Sequence, residues 1–513
     1  MSWTVAGVVR GHGKNRPDAP AISYEGRTTT WAELDARTNQ VAQALAAEGV
    51  GEQDRIAFID KNGPEYFEFL FGGAKLNAVT VGVNWRLAPP EMEYTINDAE
   101  ARVLVVGSEF VSHLKQFEPG LQTVKKILVI GDSYEPWVAE HEPVDPGVDG
   151  SGDDVAMQLY TSGTTGLPKG AMLTNSNLGS MMPAIGPMWR FDADSVNLVA
   201  MPLFHIGGSG WALVGMTQGC RSVIVREIVP PQLLETLQQE RITNAFLVPA
   251  VLQFLTAIPG CEDCDFSAMR AIVYGASPIT NEVLKRSLKI FGTDLIQVYG
   301  LTETTGAITQ LEPEDHDPDG PREHLLRSAG KPYSHVEMKI VDENGNELPR
   351  GQVGELWTNS SQNMKGYWNK PEATDSVLTS DGWFKTGDAG YMDEEGFVFL
   401  TDRIKDMIVS GGENIYPIEI ENALSGHPSV ADIAVIGVPD ERWGESVKAI
   451  IVLKDGATLE PDELIAYARE RLAGYKIPRS VDFATELPRN PSGKLLKRIL
   501  REPYWKDQDR RIN

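Results

Sequence analysis

The sequence predicts an α/β protein with a large N-terminal domain, built of two α/β layers plus a β-rich subdomain, and a small C-terminal α/β domain. Three observations carry this. Apolar runs of strand length alternate with helix-length segments to about residue 300, the pattern of parallel sheets covered by helices. Over about 334–401 the texture changes to short β runs and turns. From about residue 403 a shorter mixed α/β stretch follows, ending at Asn513. A chain of 513 residues suits about three domain-sized units at roughly 100–200 residues each.

The elements follow in order. Thr30 with Glu33 three residues on is a capping box, and it opens a helix with Leu34, Val41 and Leu45 on one side, stopped near Gly49. Buried-strand candidates lie at 55–59, 102–106 and 126–130. The Gly- and Asp-rich stretch 143–154 reads as a surface connection. A further strand candidate at 155–160 precedes a Gly/Thr-rich loop, and others lie at 196–201, 222–225, 244–248, 270–274 and 295–299. Val341-Asp-Glu-Asn-Gly-Asn and Met392-Asp-Glu-Glu-Gly396 read as hairpin turns. Pro417 stands where a helix start tolerates proline, ahead of Ile418, Ile420 and Leu424.

Composition excludes several classes. A net charge of −25 and a pI near 4.8 exclude a protein whose main task is to hold nucleic acid or an anionic membrane surface. Anionic small molecules stay open, because local sites bind them. Three cysteines exclude a disulfide scaffold and suit a reducing cytoplasm, the expected location. No apolar targeting region precedes Pro20, and the most apolar stretch, 246–259, is too short to span a bilayer and holds Gln253. Cys261 and Cys264 form a lone C-x-x-C without a second pair or flanking histidine, which reads as loop or core thiols.

The most informative stretch is Tyr160-Thr-Ser-Gly-Thr-Thr-Gly-Leu-Pro-Lys-Gly170. Glycines let backbone N–H groups approach an anion, the hydroxyls of Thr161, Ser162, Thr164 and Thr165 add donors, and Lys169 adds charge. This is a phosphate cradle. It is not a Walker A loop, because Pro168 stands where that motif needs its second glycine. The second stretch is Gln297-Val-Tyr-Gly-Leu-Thr-Glu303, where polar Thr302 and Glu303 follow a strand end. At the C-terminal edge of a parallel sheet such residues face a ligand crevice, and a single carboxylate there can hold Mg²⁺ beside phosphate oxygens.

Further landmarks stand in order along the chain: Pro202-Leu-Phe-His205, Tyr274-Gly-Ala-Ser277, Thr386-Gly-Asp388, Asp402-Arg-Ile-Lys-Asp-Met-Ile408, Ser410-Gly-Gly-Glu-Asn414 and Pro488-Arg-Asn-Pro-Ser-Gly-Lys494. With the two stretches above, they resemble the adenylate-forming superfamily of acyl-CoA synthetases, adenylation domains and beetle luciferases. Within it, the chain is most similar to bacterial fatty- or aryl-acyl-CoA ligases. The resemblance implies an AMP-binding domain at 1–402 holding the ATP and acyl sites, a hinge at 403–405 and a mobile C-terminal domain at 406–513. It implies that Thr161, Ser162, Gly163, Thr164, Thr165, Gly166 and Lys169 hold the β- and γ-phosphates of ATP. Gly275, Ala276, Gln297 and Tyr299 would frame the adenine, with Ser277, Val298 and Gly300 as further cofactor-binding residues. Thr302 would touch the α-phosphate, Glu303 would ligate Mg²⁺, and Asp388 would accept from the ribose hydroxyls with Arg403 nearby.

The resemblance also assigns Lys494 to the carboxylate and α-phosphate oxygens, where a mobile cation offsets the repulsion of two anions. Lys405 matches the hinge, and Gly411 and Gly412 match the lining of the channel for the pantetheine arm of coenzyme A. His205, Gly207, Trp211 and Tyr274 are the expected acid-site residues, with Gly208, Val248, Gly300 and Ala307 as further candidates; Gly207 and Gly208 are expected to leave space for the acid. Lys494, Glu303, Thr302 and Lys169 are thus the expected catalytic residues, and a small carboxylic acid, ATP and CoA the expected partners of a monomer or homodimer. A carboxylate nucleophile needs no general base at neutral pH, so His205 is not assigned as one. Two other readings are an adenylation enzyme that passes its acyl group to a carrier protein, and a non-catalytic nucleotide-binding homologue. His205 following Phe204, where amino-acid-activating relatives usually carry Asp, disfavours an α-amino acid.

Overall fold

The computed structural model describes residues 3–161, 167–276, 279, 281–403, 406–410, 413–440, 443–472, 474–489 and 495–506. They group into two compact units, the first Met1–Leu326, Tyr333–Val336 and Asn359–Phe384, the second Arg327–Pro332, Glu337–Thr358 and Lys385–Asn513.

Two sheets build the first unit. One runs Gly306–Leu311, Asp294–Leu301, Ala271–Gly275, Asn244–Phe246, Val196–Val199, Arg221–Ile224, Pro20–Tyr24, Arg27–Thr30. Its pairs from Asp294–Leu301 through Pro20–Tyr24 are parallel, while Gly306–Leu311 and Arg27–Thr30 pair antiparallel with Asp294–Leu301 and Pro20–Tyr24. The other runs Gly366–Tyr367, Lys169–Thr174, Val155–Thr161, Val79–Gly82, Arg55–Ile59, Val103–Val106, Lys126–Val129. Its strands Arg55–Ile59, Val79–Gly82 and Val103–Val106 are buried along their whole length, as strands of a parallel sheet covered on both faces must be.

Every strand read from the sequence in this unit is present, with ends shifted by a residue or two. The capping box is present as well: the Glu33 amide donates to Thr30 Oγ1 and the Thr30 amide to Glu33 Oε2, opening the helix Trp31–Ala47. Six strands were not foreseen: Pro20–Tyr24, Arg27–Thr30, Val79–Gly82, Lys169–Thr174, Gly306–Leu311 and Gly366–Tyr367. Arg27–Thr30 is polar and half exposed, Val79–Gly82 carries Thr80 between its apolar residues, and Lys169–Thr174 begins inside a motif that read as a loop.

The second unit contains a sheet in the order Glu337–Val341, Gly354–Asn359, Phe384–Met392, Val398–Arg403. Both expected turns form, with Asp342 Oδ1 accepting from the amides of Asn344 and Asn346, and Asp393 Oδ1 from those of Glu395 and Phe397. A further sheet runs Glu413–Ile415, Ile408–Ser410, Gly444–Leu453, Val430–Asp440, with Ser480–Phe483 paired to Gly444–Leu453. Ile420 and Leu424 of the helix Pro417–Ser425, which does start at its proline, pack with Ile408, Val435, Val447 and Ile451 in its core. The β-rich strands and the C-terminal sheet share this unit, so the two units do not divide at 403–405; that boundary stays a proposal, taken up below. Among the described residues no helix is long and apolar enough to cross a membrane.

Candidate active site

The two ends of the cradle motif lie on paired strands. Val155–Thr161 pairs antiparallel with Lys169–Thr174, and Thr161 stands opposite Lys169. Ser162, Gly163, Thr164, Thr165 and Gly166 lie outside the described residues. The stem is anchored from the side: the Tyr160 hydroxyl donates to Asp98 Oδ2 at 2.8 Å, and the Tyr94 hydroxyl to the Pro168 carbonyl at 3.3 Å.

The Tyr299–Glu303 motif is a strand end in the neighbouring sheet. Asp294–Leu301 runs parallel to Ala271–Gly275, with Tyr274 opposite Gln297 and Gly275 opposite Val298. After Leu301 the chain turns through Thr302–Thr304 and returns as Gly306–Leu311. This turn is tight enough that a Cβ on Gly300 would lie 1.9 Å from the Gly306 carbonyl oxygen; across the parallel pair, one on Gly275 would lie 2.3 Å from the Val298 carbonyl oxygen. Ala276, next along, holds φ +67°, a left-handed conformation that costs a non-glycine residue about 1–2 kcal/mol and that clusters at ligand sites. Ser277 lies outside the described residues.

These two strand ends meet at Glu303. Its carboxylate is 9% exposed, and its Oε1 accepts from the Thr161 hydroxyl at 3.1 Å and from the Tyr367 hydroxyl at 2.8 Å. The Tyr367 ring lies under the Lys169 ammonium, 5.0 Å from Nζ to ring centre. Thr302 is buried beside Glu303. Thr161, Lys169, Thr302 and Glu303 are therefore brought together as expected, around a tyrosine that sequence reasoning missed.

Tyr367 belongs to a short brace across both motifs. Gly366 and Tyr367 pair with Met172 and Ala171, the Trp368 amide donates to the Gly170 carbonyl at 2.9 Å, and the Met364 amide to the Glu303 carbonyl at 2.7 Å. Gln362, fully buried, donates from Nε2 to the carbonyls of Thr304 and Ala307, while the Thr305 hydroxyl donates to its carbonyl oxygen. Asn177 Nδ2 donates to the carbonyls of Ser361 and Asn363. The signal in the sequence was faint: a Gly-Tyr-Trp cluster within a turn-rich stretch.

Glu303 fits a divalent cation. Among the described residues it forms no ion pair, and its partners are two neutral hydroxyls that orient it without neutralising it. A buried, uncompensated carboxylate is costly unless a cation joins it.

The expected acid-site residues separate. His205 caps the helix Ile206–Gln218, its Nδ1 accepting from the Gly207 amide at 3.0 Å. The ring is therefore the neutral tautomer with its proton on Nε2, and desolvation lowers its pKa to about 4. Trp211 donates from Nε1 to the Leu198 carbonyl at 2.8 Å and joins an aromatic cluster with Trp189, Phe191 and Phe246. That cluster reaches back to Gly207, whose Cβ would lie 3.1 Å from the Phe246 ring. Gly208 does not leave open space: a Cβ there would meet the Pro202 carbonyl oxygen at 2.1 Å, so its glycine serves backbone packing. Tyr274 has no exposed surface, and its hydroxyl faces His316 and Gln297 instead of a void.

In the second unit, Asp388 stands opposite Arg403 across the pair Phe384–Met392 and Val398–Arg403. Asp388 is buried; its amide donates to the Thr386 hydroxyl, which itself donates to the Leu356 carbonyl. Gly387 takes φ +69° to make this turn. Lys405, Gly411, Gly412 and Lys494 lie outside the described residues.

A carboxylate, hydroxyls and a lysine are gathered where two α/β strand ends meet. The family model of the AMP-binding enzymes matches residues 9–368, and that of the AMP-binding enzyme C-terminal domain matches 419–494. A fatty acid–[acyl-carrier-protein] ligase, ScoC of Streptomyces coeruleorubidus, is 40% identical over 98% of this chain and 96% of its own length. A feruloyl-CoA synthase of an Amycolatopsis species is 38% identical over 95% and 96%. The crystal structure of ATP-bound MatB from Rhodopseudomonas palustris superimposes with a TM-score of 0.91 at 31% identity, covering 99% of both chains. The chain belongs to the AMP-binding enzyme family, in the adenylate-forming superfamily of acyl-CoA synthetases. It is an AMP-forming acid–thiol ligase.

Proposed function

We propose that the chain is an acyl-CoA ligase for an apolar carboxylic acid. The acid's carboxylate attacks the α-phosphorus of ATP, forming acyl-AMP and releasing pyrophosphate; the CoA thiol then attacks the acyl carbonyl, and AMP leaves. The observation that carries the reading is the convergence of Thr161, Tyr367 and Glu303 beside Lys169. In it, Thr161 and Lys169 hold the β- and γ-phosphates with Ser162, Gly163, Thr164, Thr165 and Gly166, and Thr302 touches the α-phosphate. Glu303 holds Mg²⁺, which neutralises phosphate charge when bound. Gly275, Ala276, Ser277, Gln297, Val298, Tyr299 and Gly300 line the adenine site, and Asp388 with Arg403 takes the ribose.

His205, neutral and with Nε2–H to donate, serves the acid's carboxylate as a hydrogen-bond donor, not as a base. The aromatic cluster around Trp211 supports an apolar acid. No acidic side chain stands next to Phe204, so an α-ammonium would be buried uncompensated, at an effective penalty of several kcal/mol. Residues 403–405 act as a hinge that alternates Lys494, for adenylation, with Gly411 and Gly412, for the thiol arm. A panel of fatty, aryl and alicyclic acids assayed for CoA-dependent AMP release tests the reading; turnover of free α-amino acids alone would overturn it. Lys494→Ala is expected to abolish acyl-AMP formation while sparing thioester formation from supplied acyl-AMP, and Gly412→Leu to do the reverse.

One observation favours a second acceptor. The relative ScoC, 40% identical, is named for transfer to an acyl-carrier protein. Acid-dependent pyrophosphate release without CoA-dependent AMP release, restored by a phosphopantetheinylated carrier protein, would select that reading.

A further inference from the structure

The two sheets of the first unit are pegged together at their strand ends by a side chain that the proposed chemistry does not use. Asn62 stands just beyond the strand Arg55–Ile59 and is 3% exposed. Its Nδ2 donates to the carbonyls of Met201 and Val225, each at 3.1 Å, and its Oδ1 accepts from the Leu203 amide at 3.1 Å. Met201 and Val225 follow the strands Val196–Val199 and Arg221–Ile224 of the other sheet. All three partners are backbone groups, and a carbonyl only accepts while an amide N–H only donates. The side-chain amide of Asn62 therefore has one orientation, with both of its protons in use.

What Asn62 grips is the segment that delivers His205. Two of its bonds fall on Met201 and Leu203, and between them the Pro202 carbonyl accepts from the His205 amide at 3.1 Å. The segment is closed in from two further sides. A Cβ on Gly82, at the end of the strand Val79–Gly82, would lie 2.9 Å from the Phe204 Cα, and one on Gly208 would lie 2.1 Å from the Pro202 carbonyl oxygen. Backbone held in this way cannot shift without breaking a hydrogen bond or meeting an atom. His205 thus has one backbone position from which to present its ring.

We propose that Asn62 is a positioning residue for the acid site: it holds the segment from Met201 to His205 so that the His205 ring meets the carboxylate of the bound acid. This rests on the reading that His205 donates to that carboxylate. Asn62 is buried with both donors taken, so it touches no substrate and acts through His205. Its bonds fall on Met201, Leu203 and Val225, not on Thr161, Lys169 or Glu303, so the loss of Asn62 should weaken use of the acid and spare use of the nucleotide.

A double-mutant cycle on pyrophosphate release, run with the best acid of the panel above, tests this. His205→Ala should raise KM for the acid about tenfold, the low end for a hydrogen bond to a charged group. Asn62→Ala should raise it several-fold, up to about tenfold, with KM for ATP unchanged. In the double variant Asn62→Ala should add less than about twofold, because the ring it positions is gone. Leu114→Ala, a buried change in the helix Val111–Phe117, is the stability control: it should lower the thermal midpoint and leave KM for the acid alone. If Asn62→Ala behaves like Leu114→Ala, or if its effect on KM for the acid persists in full without His205, the role is structural and the proposal is overturned. If Asn62→Ala does not fold, by circular dichroism, Gly82→Ala takes its place in the cycle, since its Cβ presses on the same segment. A raised KM for the acid in His205→Ala with none in the Asn62 or Gly82 variant overturns the proposal alone. An unchanged KM in His205→Ala overturns the reading of His205, and the proposal with it. Release with no acid of the panel overturns the adenylation reading as well.

Discussion

Replacing Tyr367 by Phe removes one oxygen from the point where the two motifs meet. The bond lost is a 2.8 Å donation to a buried carboxylate oxygen. Hydrogen bonds to charged groups contribute about 1.5–3 kcal/mol, and Glu303 would keep only the longer bond from Thr161, at 3.1 Å. The carboxylate would then swing from the place where it is proposed to hold the cation. If the whole term appears in the adenylation transition state, kcat/KM for ATP falls roughly tenfold to a hundredfold. The ring remains, so Lys169 keeps its contact. Tyr367→Leu removes that as well, adding a loss of about 0.5–2 kcal/mol for the cation–π term. Pyrophosphate release across a series of Mg²⁺ concentrations reads the effect: both variants should need more Mg²⁺ for half-maximal rate, with Leu worse than Phe. Thermal unfolding run beside it separates positioning from folding. A kcat/KM for Tyr367→Phe within twofold of wild type, at unchanged Mg²⁺ demand, would refute the reasoning.

Two further outcomes follow. Gly300→Ala places a Cβ 1.9 Å from the Gly306 carbonyl oxygen, where backbone must move, so it should lower the thermal midpoint and nucleotide use together; Gly387→Ala meets nothing within 4 Å and should cost only the left-handed strain of about 1–2 kcal/mol. His205 has a folded pKa of about 4, below the ordinary value near 6.5, so the unfolded chain binds its proton first. Its contribution leaves stability unchanged above about pH 6.5 and lowers it as pH falls from there toward 4. Chemical denaturation at pH 7 and pH 5 should therefore show a smaller acid loss for His205→Phe than for the wild type, and equal losses would contradict the neutral assignment.

The difference between what the sequence foretold and what it hid follows from range. Arg55–Ile59 and Val103–Val106 were legible because buried parallel strands carry continuous apolar runs. Thr30 and Glu33 were legible because a capping box is complete within four residues. Lys169–Thr174 was not, because its first residues belong to a loop motif and only pairing with Val155–Thr161 makes them a strand. Tyr367 was not, because its partners Glu303 and Lys169 are distant in sequence and no local pattern encodes their meeting. Tyr274 illustrates the opposite error. The resemblance placed it at the acid site, but its side chain is fully buried and bonded to His316.

On the proposed reading, the donors around Glu303 let a phosphate site orient its carboxylate with neutral hydroxyls. A guanidinium in place of the two hydroxyls would hold the carboxylate more tightly, yet it would also neutralise it and compete with any cation. Thr161 and Tyr367 both donate to Oε1, which leaves Oε2 free of them and the full charge available. The same tyrosine lies under Lys169, so the anchor of the carboxylate also steadies that ammonium. A cation at Glu303 and a phosphate at Lys169 would thus be positioned by one side chain held in one strand pair. The brace around Tyr367 makes this possible, since its backbone is bonded both to Gly170, next to the lysine, and to the carbonyl of Glu303 itself. Any displacement of one motif is carried to the other through it. Loss of the hydroxyl should therefore appear in Mg²⁺ demand, and loss of the ring in the affinity for ATP.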